Sequence, residues 1–262
     1  MNIIKRELRA NLKSFLIWGL SLVSLYLVAS IEFNAFAGDP TIADAMAQFE
    51  TLFQAIGADS ADMTTPQGFL SILSIYIYLP LAIYSGLLGS GIISKEEKDK
   101  TAEYLFTLPI TRKKVITNKL IVAIFYSIAT NLLVILGCYL AFVRFDPDPI
   151  FYTYLFNLSI GVFLTQLIFL SIGIALSSVL KQYKLSGAIT ISIMIATFML
   201  NILIGFVEDL DFLKYISPFN YFSSANMLAS NFELIYIVIS FVIIGGGIGT
   251  LLFFYPKRDL YI

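Results

Sequence analysis

The side chains best placed to act in water gather in one stretch, Lys95–Lys119, which reads KEEKDKTAEYLFTLPITRKKVITNK. It opens with solvated charges. Thr101 can cap a helix with its hydroxyl, and Glu103 then falls in the first turn, where the helix dipole favours an acid. Tyr104, Leu105 and Leu108 form a small apolar face, and Pro109 ends the helix. Arg112, Lys113 and Lys114 return the chain to an anionic lipid surface. The chemistry on offer is recognition: a short helix presenting apolar residues to water fits a protein groove. The plainer reading is a connecting loop whose apolar residues touch lipid headgroups.

Bond-making chemistry has little to work with. The chain has no His, which removes the commonest general base and metal ligand and with them any His-containing triad. Cys138 is the one cysteine and lies in an apolar run, so no intrachain disulfide is possible. No nucleophile–base pair or metal cluster is visible, so no catalytic or metal residue is assigned. A P-loop needs GxxxxGK[ST], and no Gly-Lys pair occurs. The run Gly245-Gly246-Gly247-Ile248-Gly249 lacks the Lys and sits among apolar residues, where small side chains permit close helix packing.

Asn131, Gln166 and Asn201 interrupt long apolar runs near their middles, the first two beside Thr130 and Thr165. Buried amides in lipid hydrogen-bond between helices for something like 1 kcal/mol each. The alternative is a substrate path, to which Tyr76 and Tyr84, flanking Pro80 in an aromatic-rich run, could also belong. No acidic residue lies near the middle of a run, which argues against a proton- or sodium-coupled carrier and for energy delivered from outside the membrane. An apolar path favours an amphipathic or lipid-like cargo.

The elements that must position these residues are membrane helices. The chain has 262 residues, 58% hydrophobic and 13% charged, whereas soluble domains carry about 25% charged residues; the bulk of it must face lipid. Six apolar runs stand out: Phe15–Ile31, Phe69–Ile93, Val115–Val143, Tyr152–Leu180, Leu185–Val207 and Leu234–Tyr255. About 20 residues cross the roughly 30 Å of hydrocarbon. The runs are apolar throughout rather than alternating, so they predict helices and an all-α integral membrane protein, not a barrel. The third and fourth are long enough to tilt or project. The first is expected to stay as an anchor rather than be cleaved as a signal peptide.

Lys and Arg set the orientation. The N-terminus, the 94–114 segment with Lys119, the fourth-to-fifth connection and the C-terminus hold 15 of the 17 basic residues; only Arg144 and Lys214 fall on the other side. Both termini are therefore expected in the cytoplasm. No basic face large enough for nucleic acid remains. Within residues 1–15, Ile4, Leu8 and Leu12 make a stripe flanked by Lys5, Arg9 and Lys13, a pattern that suits an amphipathic helix on the lipid surface. Thr41–Gly57 carries a second stripe of Ile42, Met46, Phe49, Phe53 and Ile56. Residues 208–233 are too polar to span and too apolar for an ordinary loop. They predict short helices around Ser217-Pro218 that dip into the membrane, or else a flat aromatic belt.

Glu96, Thr101, Glu103, Leu105, Pro109, Arg112 and Lys119 match in order the first cytoplasmic loop of the ABC-2 type permeases, which this chain resembles; Lys100 stands where many members have Gly. Tyr215-Ile216-Ser217-Pro218-Phe219 resembles the family's stretch before its last span. The resemblance implies a single 1–262 permease domain with a type V exporter-like fold: six spans, an N-terminal amphipathic helix and extracellular re-entrant helices. It implies that the loop is a coupling helix seated in a separate ABC ATP-binding subunit. Tyr104, Leu105, Phe106 and Leu108 would be buried there, with Thr101 and Pro109 bounding the helix and Glu96, Glu103 and Arg112 holding the register. ATP and Mg would then be bound by that subunit and no cofactor by this chain. A second permease copy, membrane lipid and a bacterial cytoplasmic membrane complete the expectation. Other readings of the residues are a membrane scaffold or sensor without transport, and an ion-gradient carrier.

Overall fold

Backbone groups in lipid must be satisfied within their own segment, and each apolar run is helical in the structure. The computed structural model describes residues 3–35, 37, 48, 62–98, 111–180 and 182–257. The second external stripe, Ile42 to Ile56, lies outside them.

Helix α1 runs Ile3–Phe33. The surface segment expected over residues 1–15 is not a separate element: nothing between Leu12 and Phe15 interrupts the ladder, and the helix continues straight into the first span. At 31 residues it is about 47 Å long. Its buried stripe is Ile3, Glu7, Gly19, Leu22, Tyr26 and Phe33, one position round from the expected one, and Leu12 faces outward.

Helix α2, Pro66–Leu73, starts at Thr65, whose hydroxyl accepts from the Gly68 N–H, with Pro66 in the first turn. Helix α3 is Ile75–Lys98. The second run is therefore interrupted at Ser74 and not at Pro80, which lies inside α3. The Ser74 N–H turns back tightly to the Ser71 carbonyl, and its hydroxyl meets Ser224.

Helix α4 is Arg112–Phe142, capped by Thr111; α5 is Pro149–Val179; α6 is Tyr183–Phe206. A 3₁₀ turn, Glu208–Tyr215, and two short helices, α7 (Pro218–Tyr221) and α8 (Ser224–Leu228), lead to α9, Leu234–Phe254. Six helices are long and apolar enough to cross a membrane: α1, α3, α4, α5, α6 and α9.

Helix α5 is the axis, with α3, α4, α6 and α9 around it, while α1 leans chiefly on α4. Backbones touch where glycines allow it. A Cβ on Gly173 of α5 would stand 2.4 Å from the Gly86 carbonyl oxygen of α3, and one on Gly247 of α9 would stand 2.6 Å from the Ser171 oxygen of α5. Within the 245–249 run only Gly247 serves packing; Gly245, Gly246 and Gly249 have open space beside them.

The 208–233 segment folds onto one end of this bundle. Pro218, Phe219, Tyr221 and Met227 are buried, and Tyr221 stacks on Tyr236 with ring centres 5.0 Å apart. Asn157 of α5 donates to the Met227 carbonyl and to Ser230 Oγ, both at 2.9 Å. Ser217 Oγ donates to the Thr197 carbonyl at 2.8 Å. Pro218 opens α7 as its first residue. At the same end Asp211 accepts from Lys214 and holds that ammonium above its ordinary range.

Candidate functional site

At the other end the strongly basic segments converge: the start of α1, the end of α3 and the start of α4. Residues 99–110 connect α3 to α4. Thr101, Glu103, Tyr104, Leu105, Phe106, Leu108 and Pro109 lie outside the described residues. The two flanks of that connection, Glu96 and Arg112, are described.

The flanks are joined by buried charge. Lys119 of α4 is 0% exposed and gives its ammonium to the Glu96 carboxylate and to the Ile92 carbonyl of α3. Arg6 of α1 donates to the other Glu96 oxygen at 2.7 Å and to Glu7 at 2.8 Å. Lys95 of α3 reaches the second Glu7 oxygen at 3.3 Å. Glu7 is fully enclosed, and the Glu96 side chain is 3% exposed. Each carboxylate oxygen thus has a cationic donor. That matters because an unpaired charge at such depth costs several kcal/mol, whereas a paired and hydrogen-bonded one can be held.

Around the ions the packing is specific. The Tyr126 hydroxyl of α4 donates to the Leu8 carbonyl of α1, with the Phe15 ring 5.5 Å from that of Tyr126. Arg112 donates to the Pro256 carbonyl at 3.1 Å, fastening the start of α4 to the turn after α9. Three helices and the chain's last described turn therefore meet at the root of the 99–110 connection. This arrangement fixes where that connection leaves the bundle.

Glu96, which the resemblance implies helps hold a partner in register, is buried, and both its oxygens are engaged within the chain. Glu7 was missed altogether. Its signal was position: with Ile3 and the later Leu22 and Tyr26 it lies on the inward stripe of α1, so an acid there needs buried cations.

The residues considered for a substrate path do not converge. Asn131 donates to the Ser159 carbonyl at 3.1 Å and accepts from Ser159 Oγ at 2.7 Å; Gln166 donates to Thr130 Oγ1 at 3.3 Å. Both amides therefore tie α4 to α5. Tyr76 is 52% exposed on the outer surface of α3. Tyr84 is enclosed with its ring 6.2 Å from Trp18. Asn201 stands apart, at the end of the bundle remote from the charges, beside Ser74, Ser223 and Ser224. Among the described residues no three His, Cys, Asp or Glu side chains are grouped to hold a metal ion.

A family model described as "ABC-2 family transporter protein" matches residues 1–257. No curated protein matches the chain.

Proposed function

Because the chain belongs to the ABC-2 family of transporter proteins, a family of membrane-spanning permease subunits, we propose that it is the permease of an ATP-binding-cassette exporter. It moves a hydrophobic or amphipathic compound, such as a peptide, drug or lipid, outward across the bacterial cytoplasmic membrane. The energy comes from ATP hydrolysed, with Mg, on a separate ATP-binding subunit. The permease works as a pair of copies in the lipid, with both termini and the charged end in the cytoplasm.

The observation that supports this reading is the ionic root of the 99–110 connection. A segment that receives force must leave the bundle from a fixed base, and Glu96, Lys119, Arg6 and Glu7 supply one joining three helices. A push on the coupling segment Thr101–Pro109 would reach α3 and α4 directly, and α1 through Glu7 and Arg6. Within that segment Leu105, Phe106 and Leu108 enter the ATPase cleft, and Glu103 holds the register there.

Co-purification decides it. Leu105→Asp is expected to abolish capture of the ATP-binding subunit and the stimulation of its hydrolysis, with the permease still folded. An intact complex with unchanged hydrolysis would remove the docking claim. Flux that survives ATP depletion but stops when the ion gradient collapses would replace the exporter with a carrier.

A further inference from the structure

The first turns of α1 present charge in two directions. Inward, Glu7 is enclosed and paired. Outward, Lys5, Arg9 and Lys13 are exposed. At about 100° per residue these three lie within about 60° of the direction opposite Glu7, and the exposed Leu16, Leu20 and Ile31 continue the same face. The acids of α1 are Glu7 and, at its far end, Glu32. Arg9 and Lys13 have no ionic partner among the described residues. Their depth follows from the helix rise. Arg144, bonded to the Ser30 carbonyl, marks the far boundary of the hydrocarbon, since a guanidinium is costly any deeper. Lys13 and Arg9 lie about 26 Å and about 32 Å back from Ser30 along α1. They bracket the roughly 30 Å that hydrocarbon occupies, so both cations sit at headgroup level.

We propose that the outward face of α1 binds an anionic phospholipid, with its phosphate on Arg9 and Lys13 and an acyl chain along Leu16 and Leu20. Charge selects the headgroup. A zwitterionic lipid carries its own ammonium beside the phosphate, whereas an anionic one gains from each cation, about fivefold in affinity for a Lys or Arg near the surface. Order along the helix selects a lipid over a free anion or an acidic protein segment. The cations come first and the apolar side chains follow towards the bilayer centre, which is the order of headgroup and chain within one leaflet. An acidic segment would leave Leu16 and Leu20 uncovered. The stems of Arg9 and Lys13 lie along apolar surface while their charged ends reach the headgroups. The inward cluster fixes which face is presented: turning α1 about its axis would pull Glu7 from Lys95 and strand a buried carboxylate. The site does not rest on the exporter reading, because it depends on the depth of two cations and on neither cargo nor ATPase.

The experiment is fluorescence quenching by brominated lipid. Trp18 is the one tryptophan and faces the bundle, its ring 6.2 Å from that of Tyr84. In the full chain, Trp18→Phe with Leu16→Trp moves this reporter to the outward face. Reconstituted in phosphatidylcholine bilayers, it is expected to be quenched by brominated phosphatidylglycerol at a roughly fivefold lower mole fraction than by brominated phosphatidylcholine. Arg9→Gln and Lys13→Gln together should bring the two lipids to parity. Salt at about 1 M, where the screening length falls to about 3 Å, should lower the preference. Lys113→Gln removes an exposed cation at the start of α4 and should leave the preference intact. Inorganic phosphate should not displace the lipid, because it has no chain to lie on Leu16 and Leu20. If the reporter protein is not monodisperse, native mass spectrometry of the unaltered chain against the Arg9→Gln/Lys13→Gln variant reads the same preference as retained phosphatidylglycerol. Parity in the parent, a loss with Lys113→Gln as large as with the pair, displacement by phosphate, or a reporter shielded from both lipids by a second copy would each overturn the site.

Discussion

The two ends of the bundle treat buried polarity in opposite ways. At the charged end, Glu7, Glu96 and Lys119 are enclosed, and each carboxylate oxygen has a cationic donor from another residue. At the far end, the described residues around Asn201 are neutral and its Oδ1 has no partner among them. A saturated ionic cluster has a single low-energy arrangement, because displacing any member strands a charge. A neutral cluster loses less when a member moves, because no charge is stranded. One end is thus pinned by paired charge and the other held only by neutral contacts.

The contrast can be broken most directly at Lys119. Lys119→Met leaves the Glu96 carboxylate buried with Arg6 as its remaining cation, and the expected loss is about 3–5 kcal/mol, read as a lowered unfolding midpoint of the purified chain. Adding Glu96→Gln to that variant should return much of the loss, since the stranded charge is gone. A midpoint equal to that of the parent would show the ions to be incidental. Glu7→Gln removes the anion that Arg6 and Lys95 share, and should cost about 1.5–3 kcal/mol. In the complex with its ATPase the same variant should lower stimulated hydrolysis further than its midpoint alone accounts for. The smallest effect belongs to the far end. Asn201→Leu removes an unpaired acceptor, so the midpoint should hold or rise; a loss as large as that of Lys119→Met would erase the distinction.

Much of this was legible in the sequence. Hydropathy located all six spans, because twenty apolar residues in a row have few alternatives to a membrane helix. Glu96 and Lys119 are both among the seven motif residues, but nothing in the motif marks them as partners. The two lie 23 positions apart, and a single sequence carries no record of such a pairing. Tertiary context also decided where the second run breaks. Pro80 is the stronger breaker by chemistry, yet the interruption sits at Ser74, where a neighbouring segment offers Ser224. The amphipathic start was visible and its face misjudged by one residue. Choosing the stripe through Ile4, Leu8 and Leu12 hid Glu7, whereas the stripe through Ile3, Gly19, Leu22 and Tyr26 puts it inside.

Helix α1 is fastened near both its extremities. Close to its start, Glu7 is gripped by Lys95 and the Leu8 carbonyl by Tyr126. Towards its finish, the Tyr26 hydroxyl donates to the Leu73 carbonyl and Arg144 to the Ser30 carbonyl, each at 2.7 Å. A stiff rod anchored in this way behaves as a pushrod. A displacement delivered at one end of the bundle would therefore be expected to carry along α1 to the other end.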